Sequence, residues 1–508
     1  MSTNGDHSSP EAQPLKEENV RKENFENKNF FQKLWYLKRN ITVEPIMAGL
    51  IISSMLSRLV VQNLNLDKAC RVRLNYTNDI CDSLIKQKEG NFTLYEGEVQ
   101  KIISSIEAWK SIVQTAIPII LVIIMGAWSD RTGNRKLCIL LPIFGEFLVC
   151  ISNILSTFFF YEISIEVTMF LEALFPAITG GWVMVYLGVF SYVSDITDAE
   201  SRTFRIGLVN LCLTGGVLIG TALSGILLKF LGYYSIFTLS GSIYLVTFIY
   251  GYFYLKTKTK PGIEDNKQTK PITVLDLVTL VKETTQVAFK KREGNLRMKI
   301  IFTLSVVAIV YGPNHGERLI TYLFVRYRLQ WDAFKYSIYS TYSVILHSVG
   351  ALFSISVFSK HYGFHDSMLC IISISSKLVG SVFLAYVRTD FQMFMVPVVE
   401  ILNATTFTSL RSLASKLVCS EEIGKMNSLF SLVETLAALV FDPTYSTVYA
   451  KTVSLFTGTV YLFSGIMTIP ALGILMWLFT RHRRETKLRK QEAMKQVVVS
   501  GDTKETVQ

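Results

Sequence analysis

Gly126-Ala-Trp-Ser-Asp130-Arg131-Thr-Gly133-Asn-Arg135-Lys136 is a short polar stretch between two apolar runs, 112–125 and the run that opens at Leu137. Gly126 and Gly133 allow two membrane helices to approach and the chain to reverse. Arg131, Arg135 and Lys136 hold such a turn on the cytoplasmic side of a membrane. Asp130 is placed to pair with a basic residue or to cap a helix N-terminus. A latch of this kind can break when helix bundles rock. An ordinary charged turn reads similarly in isolation, so the hydropathy of the whole chain decides.

Half of the 508 residues are hydrophobic and 18% are charged, with mean hydropathy +0.35. A soluble domain carries about a quarter charged residues. Apolar runs that can each cross a hydrocarbon core, which takes about 20 helical residues, recur along the chain. The fold class expected is an all-α membrane protein with twelve transmembrane helices in two six-helix halves. The formal charge of +11 does not point to nucleic acid. The excess of Lys and Arg sits in loops and tails beside the spans, the pattern of cytoplasmic segments. The expected partners are the lipid bilayer and a small organic solute.

In chain order, 1–40 reads as a polar cytoplasmic tail without the pattern of a cleaved signal. The first half, 41–255, has spans at about 43–64, 103–128, 137–160, 167–193, 206–231 and 235–255. Residues 65–101 read as a polar loop with two glycosylation triplets, at Asn75 and Asn91, and with Cys70 and Cys81. Glycans and disulfides both belong to an extracellular or lumenal compartment. The triplets at Asn40 and Asn403 fall where no glycan is expected. Cys138, Cys150, Cys212, Cys370 and Cys419 read as reduced packing residues. The fifth span is rich in small residues, Gly215, Gly216, Gly220, Ala222, Ser224 and Gly225, which serve close packing or a moving interface. Residues 256–299 form a basic cytoplasmic linker, with an amphipathic stretch, 274–289, suited to a membrane surface. The second half, 300–480, has spans at about 300–325, 336–358, 367–386, 391–413, 426–449 and 455–479. A basic cytoplasmic tail, 481–508, follows.

The spacing from Gly126 to Lys136 resembles the signature between helices two and three of the major facilitator superfamily of transporters. Val43-Glu44-Pro45, Ser201-Arg-Thr203-Phe204-Arg205, Leu410-Arg411-Ser412, Ser415-Lys416-Leu417 and Ile469-Pro470-Ala471 narrow the resemblance to solute carrier family 46. That family holds the proton-coupled folate transporter, a lysosomal branch and insect paralogues. The resemblance implies alternating access and carriage of organic solutes, with proton coupling in the family's best-known member; anionic solutes and a plasma or lysosomal/endosomal membrane are expected here. The chain departs from the folate transporter in places. Asn210 and Gly181 stand where that protein has acids, Pro313 where it has a histidine, and Arg58-Leu-Val-Val-Gln-Asn63 where it has an uncharged segment. Gln330 replaces the family's cysteine before Trp331-Asp332, so the resemblance leaves Cys70 and Cys81 as the bridge within this loop.

Charges inside spans cost about 2.5–3.5 kcal/mol at mid-helix, so each invites a functional reading. Arg58 suits a two-pronged contact with a carboxylate or phosphate, or an interfacial position. Glu146, Glu172, Lys377, Glu400 and Glu434 suit either a solute contact or an internal ion pair; Glu107 and Lys110 suit each other. Tyr311-Gly-Pro313-Asn-His315-Gly-Glu317-Arg318 reads as a broken segment beside a watery cavity. His315 is there as a proton-handling candidate. Arg411 is placed to meet an acid or an anionic solute. The substrate-binding candidates are thus Arg58, Glu172, Asn210, His315, Glu317, Glu400 and Arg411. There is no nucleotide-binding loop, zinc spacing or nucleophile elbow, so neither cofactor nor enzyme activity is expected. The reading is a secondary transporter; the rivals are an uncoupled carrier and a receptor or scaffold of the same fold.

Overall fold

The computed structural model describes residues 41–87, 92–197, 199–256, 286, 289–290, 295–419 and 422–505. Within these stretches the side chains of Asp130, of 199–203 and 359–360, and of most of 486–505 are outside the description. Asn91 and nearly all of 274–289 also lie outside the described residues.

The regular elements among the described residues are helical. In the first half they are α1 (Glu44–Lys68), α2 (Asn78–Ile85), α3 (Thr93–Thr132), α4 (Arg135–Phe158), α5 (Ile165–Thr179), α6 (Gly181–Ile196) and α7 (Ala199–Tyr254). In the second half they are α8 (Leu296–Leu329), α9 (Ala333–Phe353), α10 (Asp366–Ala385), α11 (Asp390–Val399), α12 (Thr406–Ser415), α13 (Ile423–Thr452) and α14 (Thr459–Glu505). Among the described residues, eleven helical segments are long and apolar enough to span a membrane. One of them, α7, is 56 residues long, far beyond one bilayer crossing. Gly232, at φ 71° and ψ −176°, breaks it into two arms and brings the crossings to twelve. That backbone is open to glycine and strained for other residues.

In the first half α1 packs on α7 and α4 on the second arm of α7; in the second, α8 packs on α13 and α10 on α14. The halves meet along α3–α13 and along α9 with the first arm of α7. Several small residues of that arm serve close packing, both within the first half and against the second. Gly216 and Gly220 admit Ile51, Ile52 and Met55 of α1, whereas Gly225 admits Ser337 of α9 in the other half.

Four expectations need correction. The polar turn is shorter than its sequence implies. α3 continues through Thr132, Gly133 caps it at φ 72°, and α4 starts at Arg135. Gly126 lies inside α3, where a methyl group would stand 3.3 Å from Leu187. Residues 65–101 are not a free polar loop. α1 runs to Lys68 and on through a wide turn at Ala69–Arg73, then α2 folds back, with Cys70 bonded to Cys81. Its charges are satisfied locally, Arg71 holding Asp67 at 2.6 Å and also Asp82, so the helices can extend beyond the apolar layer. The segment Tyr311–Arg318 is not broken, since α8 is continuous through Pro313. Gly312 and Gly316 make room for the rings of Phe441 and Tyr445 on α13 instead. The breaks fall elsewhere, at Gly180–Gly181 between α5 and α6 and in the tight turn Ile401–Thr405 between α11 and α12. Finally, Cys419 is exposed and is not a packing residue.

The apolar interior distinguishes the two ends of the bundle. At the end carrying α2, one core joins both halves, from Leu66, Cys81 and Ile103 to Tyr322, Tyr339 and Tyr449. At the end carrying the Gly133 turn the core divides into one cluster for each half. The halves thus share a core at the α2 end, while at the turn end each has its own.

Candidate functional site

Arg58 lies in the middle of α1 and Arg318 in the second half of α8, and both are exposed. Each guanidinium lies within electrostatic reach of the other, although they belong to different halves. Exposure to lipid at mid-span would be costly for such a charge. Their proximity places them instead on the space between the halves. Tyr186 and Tyr311 lie within electrostatic reach of Arg318, and Tyr336 within that of Arg58. Neither arginine has a hydrogen bond or ion pair with a described residue. Successive residues of a helix point about 100° apart, and Glu317 is bonded to Lys377.

His315 and Arg411 also have partners on α13. His315 Nδ1 is 2.8 Å from Asp442 Oδ1, with its ring stacked on Tyr311. Arg411 Nη2 donates to Glu434 Oε2 at 2.9 Å and lies over the Phe430 ring. Asn210 is exposed on the first arm of α7.

The remaining acidic candidates are held inside their own halves. Lys110 Nζ donates to Glu172 Oε2 at 2.9 Å, Asn65 Nδ2 donates to the same carboxylate, and Glu107 is 3.3 Å from Lys110. In the second half Lys377 Nζ donates to Glu317 at 2.6 Å and to Glu400 at 2.9 Å, and Ser381 Oγ donates to Glu317. Glu172, Glu317 and Glu400 are all buried. These three therefore lie in internal ion pairs that join neighbouring helices. The reason is geometric: each faces a lysine from a neighbouring helix, and a buried charge is retained only with such a partner.

Two of the sequence motifs meet at the turn end. Glu44, at the head of α1, accepts from the backbone of Thr42 and Val43 and pairs with Arg205 of α7 at 3.4 Å. Arg135 Nε donates to Asp195 Oδ2 at 3.0 Å and Nη1 to Ser129 Oγ, which ties α4 to the end of α6. Lys136 Nζ donates to the Tyr252 carbonyl and lies over that ring. Arg131 is engaged as well, and the Asp130 side chain is outside the description. In the second half Ser412 and Lys416 both hold Asp366, each at 2.7 Å.

The α2 end is sealed by a polar chain across the halves. Arg326 of α8 donates to Glu96 of α3 at 3.1 Å and to the Leu84 carbonyl of α2 at 2.9 Å. Tyr322 donates to Asn63 of α1, Gln100 Nε2 to the Leu323 carbonyl, and Tyr449 to Gln100 Oε1. Arg326, Glu96 and Gln100 are buried.

Comparison with known proteins fits this geometry. Residues 102–442 match the Major Facilitator Superfamily model. The chain belongs to the Major Facilitator Superfamily. Among major facilitator relatives it is 25% identical to the lysosomal proton-coupled steroid conjugate and bile acid symporter SLC46A3 of Gallus gallus, over 87% of this chain and 94% of that one. It is 20% identical to the probable peptidoglycan muropeptide transporter SLC46 of Drosophila melanogaster, over 88% and 86%. The crystal structure of a D-xylose-proton symporter superposes with a TM-score of 0.60 at 13% identity, covering 85% of this chain and 96% of that one. This major facilitator protein is a multi-pass membrane protein and a secondary transporter, and its curated relatives are members of solute carrier family 46.

Proposed function

We propose that this transporter carries organic anions, with Arg58 and Arg318 as the pair that holds the negative group. The carrying observation is two unpaired guanidiniums, one from each half, at the space between the halves. A guanidinium grips carboxylate, sulfate or phosphate with two parallel hydrogen bonds. An anion that touches both halves favours the state in which they approach, and such differential contact is what drives alternating access. The nearby tyrosines suit an apolar or ring-bearing body, in keeping with relatives described as carriers of steroid conjugates, bile acids and muropeptides. With the α2 end outside or in the lumen and both termini in the cytoplasm, the core shared by the halves at the α2 end supports an inward-facing reading. Proton coupling of the kind named for the relatives rests on the His315–Asp442 pair, where a titratable ring meets a carboxylate beside the same space.

The test is uptake into proteoliposomes of a steroid sulfate, a bile acid and a muropeptide, with Arg58→Lys, Arg318→Lys and His315→Gln beside the wild type. Each lysine variant weakens apparent affinity by roughly 1–3 kcal/mol through loss of the two-pronged grip. Unchanged affinity in both would remove the arginines from the solute site. Acid-stimulated uptake that survives His315→Gln intact would remove His315 from coupling.

A further inference from the structure

The mid-span acids Glu107, Glu172, Glu317, Glu400, Glu434 and Asp442 each have a basic partner within ion-pair distance. Glu146 in the middle of α4 is different. It lies on the stripe that α4 buries, with Pro142, Ile143, Cys150 and Asn153 one or two turns away. Among the described residues it has no hydrogen bond or ion pair. The titratable groups near it are Cys150 on its own helix and Tyr244 on the second arm of α7. No charged side chain from α1, α5, α6 or α7 comes within electrostatic reach.

The surroundings of Glu146 are polar without being charged. α4 and the second arm of α7 run side by side, with Gly241 against Cys150 and Phe248 against Phe144. Along this seam the Tyr244 hydroxyl faces Ser54 and Ser57 of α1 without completing a hydrogen bond, and Ser240 Oγ and both amide atoms of Asn153 are unpartnered. Tyr244, Ser240 and Asn153 are almost wholly buried. Buried polar groups are normally satisfied, so a run of unsatisfied ones beside a carboxyl marks a place with work to do. The matching place in the second half is informative. Glu146 and Lys377 are each the twelfth residue of their helices, α4 and α10. Lys377 is clamped by two carboxylates, whereas Glu146 has no counter-charge.

We infer that Glu146 is a proton-binding site inside the first half, separate from the inter-half space and from His315. A carboxylate inside a span without a counter-charge is costly, and the neutral acid is the form such a place admits. A metal or sodium ion would need several oxygens around it, and the nearby hydroxyls and amide are strung along the seam, with Asn153 two turns from Glu146. A proton needs only the carboxyl. Partial exposure of Glu146 leaves a way in for it. Loss of the proton places a charge between α4, α1 and α7, so the packing of the first half senses it.

The test uses the full-length protein in lipid nanodiscs. Infrared difference spectra are recorded while pH is raised from roughly 5 to 9, a range bracketing shifted carboxyl groups. A protonated-carboxyl stretch disappears over this range in the wild type and in His315→Gln, moves in Glu146→Asp, and is missing in Glu146→Gln. The wild type is also treated with an apolar carbodiimide, which attacks protonated carboxyls, and its peptides are mapped by mass; Glu146 carries the adduct at low pH and not at high pH. This second measurement needs no variant to fold. Identical spectra for wild type and Glu146→Gln, an unmodified Glu146, or a titration that shifts when sodium replaces choline would each overturn the assignment. None of these readouts depends on solute transport, so the anion reading can fail independently.

Discussion

Arg326 and Glu96 form a buried ion pair between the two halves, Nε to Oε1 at 3.1 Å, with the same guanidinium reaching the Leu84 carbonyl of α2 at 2.9 Å. One side chain thus joins α8, α3 and the disulfide-held α2, and the closed α2 end is centred on it.

Arg326→Gln leaves Glu96 buried without its counter-charge, a loss of about 3–5 kcal/mol to the closed arrangement. Glu96→Gln with Arg326→Gln recovers much of that. Thermal unfolding of the three variants, with the labelling rate of a cysteine placed at Val99, checks both parts. A double variant no better than the single one contradicts a direct pair.

Reduction of the Cys70–Cys81 bond frees the segment that positions Leu84. Closing a short loop of this size contributes about 2–3 kcal/mol. Mild reductant, or Cys81→Ser, therefore lowers thermal stability and speeds labelling at the α2 end in wild type. The same treatment has little further effect in Arg326→Gln, because the link to α2 is already gone.

The Gly126–Lys136 turn is expected to act on turnover. Arg135 ties α4 to Asp195 at the end of α6, and losing a contact made in one state shifts the balance between states. Arg135→Gln and Asp130→Ala are expected to lower the maximal rate several-fold with solute affinity nearly kept. Normal rates at normal abundance would reduce the stretch to a simple turn.

His365 precedes α10, and its Nδ1 accepts from the Ser367 backbone N–H, which only the unprotonated nitrogen can do. Burial, and then the stacked His482 ring, hold its pKa below the usual histidine value. The unfolded chain therefore binds the proton first, and the stability that neutral His365 brings is present above about pH 6.5 and lost as pH falls below it. Thermal stability measured between about pH 7.5 and 5 should drop, and His365→Asn, which keeps a capping acceptor, should flatten that drop. An equal slope in both proteins would exclude His365 as a cause.

Glu44 and Arg205 show how far the sequence could be read. Both lie in motifs that carried the family resemblance, yet 161 positions separate them, and nothing in their spacing says that they meet. The same holds for Glu317 and Lys377. Each could be recognised as a costly intramembrane charge, but which of two or three nearby charges it would choose depends on how helices rotate. Nothing in the sequence separates Arg318 from its neighbour Glu317, because the rotation of the helix decides which of them finds a partner. Tyr311–Arg318 was misread as a break because proline and glycine weaken a helix on average, whereas here rings from α13 fill the glycine faces.

Hydropathy, the glycine-bounded polar turn and the bias of basic residues are local properties, and they carried the membrane class, the number of crossings and the two-half plan. They act through the bilayer, which treats every segment by length and charge alone. Which charges pair, which stay open toward the solute, and which end of the bundle is shut depend on contacts between residues hundreds of positions apart. Arg58 and Arg318 belong to different halves, and only the packing of α1 against α8 across a shared core puts their two charges beside one space.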